Sequence, residues 1–96
     1  MSRNLIRLAG KNHQIPVDFV NLICNLEDRA DVISVGIGRF IKKRDSEVGI
    51  IISGYDSSRH SLLINVKSRD YMGKFFVSVS EENRENVEDY LMDYKF

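Results

Sequence analysis

The sequence has little of several residue types on which specialised classes of protein depend. It contains one cysteine, one proline and no tryptophan. A single cysteine excludes a disulfide framework and a cage of thiolate metal ligands within one chain. No apolar run is long enough to cross a bilayer, and the first residues lack the pattern of a signal peptide. These absences predict a cytoplasmic protein that does not bind membranes.

The charge pattern has no overall excess of either sign, because 14 basic residues balance 14 acidic ones. A net charge of zero argues against a histone-like polyanion binder. The charges are nevertheless segregated along the chain. Eight basic and four acidic residues lie between Arg39 and Lys74, whereas six acidic and two basic residues follow from Glu81 onward. The middle of the chain is therefore basic and its last segment acidic.

Length and composition predict one folded domain that spans residues 1–96. An apolar fraction of 43% and a charged fraction of 29% are ordinary for a globular protein. The order of apolar patterns is (β)-α-β-β-β-β-α, in which residues 1–14 form an N-terminal arm or an edge strand. Short turns between successive strands favour an antiparallel meander. We therefore expect an α+β fold, with a four-stranded sheet and both helices on one face.

Two segments have the periodicity of amphipathic helices. The first runs from Pro16 to about Arg29, and its apolar side includes Cys24, which indicates a structural thiol. The second follows Ser80, which we expect to cap its first turn. Its apolar positions recur at helical spacing: Val87, Tyr90, Leu91 and Tyr94.

Alternation within the four β-rich segments assigns each residue to one face of the sheet. The inward set is Ile33, Val35, Ile37, Ile50, Ile52, Leu62, Ile64, Val66, Phe75, Val77 and Val79. The outward set is Ser34, Gly36, Gly38, Gly49, Ile51, Ser53, Ser61, Leu63, Asn65, Lys67, Lys74, Phe76 and Ser78. The alternation changes phase near Gly38, which predicts a β-bulge there.

The outward set combines an aromatic residue, aliphatic residues and lysines, as on sheets that bind single-stranded nucleic acid. Phe76 would stack on a base, and basic residues of the strands and turns would hold phosphates. The predicted nucleic-acid-binding residues are Arg39, Lys42, Lys43, Arg44, Arg59, Lys67, Arg69, Lys74 and Phe76. The leading prediction is a non-enzymatic module that binds RNA or single-stranded DNA.

A protein partner is the main alternative occupant of the same face. Ile51, Leu63 and Phe76 form an apolar set of the kind that marks protein interfaces. The partner would be a second copy in a homodimer, or a different protein for which this chain is an adaptor or a viral inhibitor. In a further alternative, the N-terminal arm covers these residues.

Catalytic and metal signatures are weak in this sequence. The two histidines, His13 and His60, belong to no spaced ligand pair. The G-x-G of "SVGIGRF" lies inside a predicted strand with no helix after it, which is the wrong context for binding a dinucleotide. The sequence therefore predicts neither an enzyme nor a cofactor.

The order of "NHQIP", a helix, "VISVGIGR" and then "LLINVKSRDYMGKFFVSVS" resembles a small uncharacterised family catalogued as predicted metal-binding proteins. The similarity spans residues 12–80. It implies the same fold and, as a third functional alternative, a metal role for His13. This chain has one histidine before the Ile-Pro where that family has two, a departure that weakens the metal prediction.

Overall fold

A computed structural model of the chain describes residues 15–44 and 47–96. The predicted arm at residues 1–14, including His13, lies outside the described residues. The elements follow the order α-β-β-β-β-α, which confirms the predicted α+β fold. Their bounds are α1 Val17–Glu27, β1 Ser34–Lys42, β2 Gly49–Asp56, β3 Ser61–Lys67, β4 Tyr71–Ser78 and α2 Arg84–Met92.

The four strands form one antiparallel sheet in the order β1-β4-β3-β2. The meander predicted from the sequence therefore extends only over β2, β3 and β4. β1 pairs with β4 instead of with β2, the next strand along the chain. This is the strand order of a Greek key read in reverse chain direction.

The pairing of β1 with β4 has a local physical reason. Gly36 lies opposite Phe76, and a Cβ atom placed on Gly38 would lie 2.9 Å from Cε2 of Phe76. The Phe76 ring therefore occupies space that a side chain at Gly38 would need. Glycines on β1 thus suit it to lie beside this bulky residue of β4, in the manner of an aromatic ring covering cross-strand glycines.

The core lies between the sheet and the two helices, and α1 supplies its largest helical part. Phe19, Leu22, Ile23 and Leu26 are fully buried, and α2 adds Val87 and Leu91. The inward residues of the strands meet these helices, and all of the predicted inward set except Ile33 is buried or packs against the core. Both helices therefore cover one face of the sheet, as predicted.

Aromatic rings fill the core near the end of the sheet where β1 finishes. Phe19 makes edge-to-face contacts with Phe40 and Phe75, at centroid distances of 5.7 and 5.2 Å. Gly73 leaves room for this cluster, since a Cβ atom there would lie 2.8 Å from Cβ of Phe40 and 2.9 Å from Cε2 of Phe19.

Two bulges adjust the direction of the side chains. The register of β1 shifts between Ile37 and Phe40, which confirms the bulge predicted near Gly38 and turns Phe40 toward the core. A second shift between Ile52 and Gly54 in β2, which the sequence did not predict, turns Tyr55 inward. The Tyr55 hydroxyl donates a hydrogen bond to the carbonyl oxygen of Val79 at 2.8 Å.

Several sequence predictions at element ends are wrong. Ile33 was predicted to face inward, but it is 72% exposed because β1 begins one residue later and Val32 is buried in its place. Ser80 accepts a turn hydrogen bond through its carbonyl oxygen from Asn83 N, and α2 begins after Asn83.

Two arginines connect the helical layer to its surroundings. Arg29 makes a two-point ion pair with Asp31, with both N–O distances at 2.8 Å, and its guanidinium lies 4.6 Å from the ring centroid of Tyr90. Arg84 pairs with Glu88 and lies 4.7 Å from the ring centroid of Tyr55. These contacts join α2 to the turn after α1 and to β2.

Candidate nucleic-acid interface

The outer face is the side of the sheet opposite the helices, and the strand register fixes which residues meet on it. Phe76 lies between Gly36 and Leu63, and Lys74 lies beside Asn65, which lies beside Ile51. The next row holds Ile41, Met72, Lys67 and Gly49. Within the described part of the chain, no helix covers these rows.

Phe76 is the aromatic residue of the outer face, and its side chain is 41% exposed. The ring leans over β1 at Gly38, where Cε2 and Cζ would lie 2.9 and 3.5 Å from an added Cβ atom. The ring is therefore held against the backbone of β1 on one side and open to solvent on another. A half-exposed, supported aromatic ring is what stacking on a base requires.

An open depression of about 240 Å³ lies next to Phe76. Its lining residues come from three strands: Arg39, Ile41, Asn65, Met72, Gly73 and Lys74. Most of its lining area is apolar, and it is smaller than the roughly 300–1,000 Å³ of typical small-molecule pockets. Its size suits one flat group lying on the sheet better than an enclosed cofactor.

Two cations flank this depression without an internal partner. Neither Arg39 nor Lys74 makes an ion pair or a side-chain hydrogen bond with any residue among 15–44 and 47–96. Both are exposed. Lys67 lies one row further along on the same face and, unlike these two cations, has an interaction within the protein. Asp56 lies at the opposite end of the face, in register with Ser61.

Charge is divided between the two layers of the molecule. The helical segments, residues 15–33 and 79–96, carry ten acidic and three basic side chains, whereas residues 34–78 carry eight basic and four acidic ones. The sheet with its connections is therefore positive and the helical layer strongly negative. A polyanion approaching this molecule would be steered toward the sheet.

Three more predicted site residues lie where β1 and β3 end. Lys43 and Arg44 follow β1, and Arg69 lies in the turn between β3 and β4. Lys43 N donates a backbone hydrogen bond to the carbonyl oxygen of Asp70 at 2.7 Å, and Arg44 Nε lies 3.6 Å from an oxygen of Asp70. These basic residues lie beyond the ends of β1 and β3, close to Asp70.

The remaining two residues predicted to contact phosphate, Lys42 and Arg59, lie apart from this group. Arg59 lies in the turn between β2 and β3, at the opposite end of the sheet, where its Nε is 3.8 Å from Asp56. Lys42 pairs with Tyr71, whose ring packs against the core, and so Lys42 lies on the helical side. Sequence spacing could not reveal either placement, because both depend on strand order and on the bulge in β1.

The Asp56 carboxylate, which faces Arg59, already accepts hydrogen bonds from residues of its own turn. The Ser58 hydroxyl donates to it at 2.7 Å, and this hydrogen bond, with further ones from backbone N–H groups, lowers the pKa of Asp56 below its ordinary value. His60 completes the turn with a positive φ of 52°. The hydrogen bonds within this turn therefore account for its conformation.

The residues of the alternative protein interface are also on the outer face. Leu63 lies directly opposite Phe76 and is half-buried, while Ile51 on the edge strand β2 is 53% exposed. Sequence reasoning missed two apolar neighbours, Ile41 and Met72. The sequence contained a signal for both residues. Continuing the alternation past the predicted bulge places Ile41 outward. Met72 is four residues from Phe76 on the same strand and therefore shares its face.

The sequence provided two histidines as metal candidates. In the described ranges, 15–44 and 47–96, no group of three or more His, Cys, Asp or Glu side chains could hold a metal ion. His60 Nδ1 lies 3.5 Å from the Tyr55 hydroxyl. Cys24 is half-buried and lines a depression of about 280 Å³ between α1 and the residues after α2.

A membrane span is a separate question from the site. Among the residues that the structure describes, neither helix is long and apolar enough to cross a bilayer.

Comparisons with models of protein families, with curated proteins and with solved structures find no match to this chain.

Proposed function

We propose that this protein is a small non-catalytic module that binds single-stranded nucleic acid, RNA or DNA, on the outer face of its sheet. One observation carries the proposal. The half-exposed ring of Phe76 and the cations Arg39 and Lys74, which have no ion-pair partner among residues 15–44 and 47–96, lie together on a sheet face that the described helices leave open. A base can stack on the ring while the cations hold the adjoining phosphates.

The distribution of charge favours a polyanion over a second copy of the chain. A two-fold dimer through this face would place the same positively charged surface, with Arg39, Lys67 and Lys74, on both sides of the interface. Like charges in close contact disfavour association, whereas a phosphate backbone neutralises them and releases counterions. Apolar exposure at Ile41 and Ile51 supports a different protein partner as the second candidate.

The contributions expected from the site differ in kind. Stacking of one base on Phe76 should supply about 1–3 kcal/mol with little sequence preference. Phosphate contacts by Arg39, Lys67 and Lys74 should supply affinity that depends on salt. For three such contacts on a single strand, the slope of log K against log salt concentration should be roughly −2. Lys43, Arg44 and Arg69 would add to it if the strand continues past the end of the sheet.

The direct test is a titration with a fluorescently labelled ten-nucleotide single strand, followed by anisotropy at two salt concentrations. Binding should weaken about 15-fold when the salt concentration rises fourfold, as a slope of roughly −2 requires. Lys74→Glu should reduce affinity at low salt by at least tenfold. The matched control is Lys95→Glu, because Lys95 is an exposed lysine on the helical side.

Two results would reject the proposal. The first is no binding of any single strand at low salt. The second is equal weakening by Lys74→Glu and Lys95→Glu, which would indicate attraction by overall charge and not a site. If no strand binds, while the mass in solution is twice that of the monomer and Phe76→Glu returns it to the monomer, the outer face is a homodimer interface.

Around Phe76 and the depression, the described residues offer phenyl, aliphatic, amide, hydroxyl and cationic groups, and we propose no acid–base pair or activated nucleophile among them. A chain with one cysteine needs no oxidising compartment. We accordingly propose the cytoplasm as the place where this module meets RNA or single-stranded DNA.

A further inference from the structure

The amide of Asn65 is held in one orientation at the edge of the depression beside Phe76. Asn65 Nδ2 donates a hydrogen bond to Ser53 Oγ at 2.6 Å, across the pair formed by β2 and β3. Asn65 also lines the depression together with Arg39 and Lys74. With its amino group engaged by Ser53, the side chain has its carbonyl oxygen Oδ1 available as a hydrogen-bond acceptor.

The spacing between Phe76 and the depression fits two neighbouring bases. Phe76 and Lys74 are two residues apart on one strand and point to the same face, which separates them by about 7 Å. Stacked bases in a nucleic-acid strand are only about 3.4 Å apart. A strand that occupies both positions must therefore have its bases splayed apart, as single strands on protein sheets do.

Building on the proposed function, we infer that the outer face binds a dinucleotide unit, with one base on Phe76 and its neighbour in the depression, where Asn65 selects bases that carry an amino group. An acceptor at Oδ1 matches the exocyclic N–H donors of adenine and cytosine. Thymine and uracil present a carbonyl oxygen at the corresponding position, which cannot donate a hydrogen bond to Oδ1. Ile41 and Met72 supply the apolar floor on which the ring of the selected base lies.

Phe76 and Asn65 therefore have separable roles. Stacking on Phe76 accepts every base, because each has a flat aromatic face. The hydrogen bond to Asn65 distinguishes between bases, and one such bond corresponds to about a 3- to 10-fold difference in affinity. Ser53 is a positioning residue, since it acts on the base only through the orientation that it gives to Asn65.

The experiment compares ten-nucleotide strands of adenine, cytosine and thymine, each labelled and titrated against the intact protein at low salt. The unaltered chain should bind the adenine and cytosine strands about 3- to 10-fold more tightly than the thymine strand. Asn65→Leu should bring all three affinities to the thymine value. Ser53→Ala should reduce the preference while Asn65 is retained. Phe76→Ala should weaken all three strands by the same factor.

Asn86→Leu provides the matched control, because Asn86 is an exposed asparagine on α2. It should leave the three affinities unchanged, and the urea unfolding midpoint of Asn65→Leu should stay near that of the unaltered chain. Equal binding of the three strands, tighter binding of thymine, or a preference that survives Asn65→Leu would overturn the inference and leave the proposed function standing. Failure of every strand to bind would overturn both.

Discussion

The two faces of β4 are made by neighbouring residues and have opposite properties. Phe75 is fully buried against α1, whereas Phe76, the next residue, is 41% exposed on the outer face. The inner side meets a negatively charged helical layer, and the outer side carries the cations Arg39 and Lys74, which have no ion-pair partner within the described part of the chain. We therefore expect the inner residues to supply most of the stability of the fold, and the outer ones to contribute less, with Phe76 acting mainly through its packing on Gly38.

The largest expected effect separates these two phenylalanines. Phe75→Ala should lower the free energy of unfolding by about 3–5 kcal/mol, because it leaves a cavity in the packed core. Phe76→Ala should lower it by about 1 kcal/mol or less, since much of its ring already contacts water. Urea denaturation of both variants measures this difference. Similar losses at the two positions would show that the outer face is also needed for folding.

Substitutions of two glycines test the same difference between the inner and outer faces without removing a side chain. Gly73→Ala should destabilise by about 1–3 kcal/mol, because the new methyl group would press on Phe40 and Phe19 at 2.8 and 2.9 Å. Gly49→Ala is the control, since no atom lies within 4 Å of its added Cβ. It should be neutral or stabilising by up to about 1 kcal/mol. Thermal unfolding of the two variants side by side decides the comparison.

Substitutions of two arginines compare a charged residue of the helical layer with one of the outer face. Arg29→Ala should cost about 1–2 kcal/mol, because it removes both the ion pair with Asp31 and the contact with the Tyr90 ring. Arg39→Ala on the outer face should change stability by about 0.5 kcal/mol or less, while it weakens nucleic-acid binding. A variant of Arg39 that lost stability as strongly as one of Arg29 would contradict this assignment of roles.

The smallest expected effect is a dependence on pH within the helical layer. Hydrogen bonds from Arg29 hold the pKa of Asp31 below its ordinary value of 3.8. Because the folded state binds this proton less readily than the unfolded chain, the stabilisation is complete above the ordinary pKa. It is lost as pH falls through the lower pKa of the folded state. The unfolding free energy of Asp31→Asn should therefore fall less steeply below about pH 4 than that of the unaltered chain.

Asp56 gives the pH experiment an internal reference. Its pKa is also lowered, chiefly by the Ser58 hydroxyl, so Asp31→Asn should keep part of the acid dependence. If Asp31→Asn and the unaltered chain gave parallel profiles between about pH 2 and 5, the ion pair with Arg29 would be without thermodynamic consequence.

Much of the candidate site followed from alternation alone. Placing Phe76, Lys74, Lys67 and Leu63 on one face required only a period of two and knowledge of which face is more apolar. The bulge near Gly38 was also readable, because two glycines and a phase change occur together. The prediction that Ile33 faces inward was wrong because alternation cannot show where a strand begins. The prediction that Ser80 caps the last helix was wrong because residues that cap helices and residues that form turns have the same chemistry.

The sequence by itself determined the kinds of element, their order and the side of the pleat to which most strand residues belong, since these depend on neighbours along the chain. Only the tertiary structure decided that β1 lies beside β4, that Arg39 and Lys74 border one depression, and that Arg59 is far from it. Such placements depend on pairing between residues distant in sequence. Strand pairing of this kind is set by packing over the whole sheet, as when the ring of Phe76 fits over Gly38.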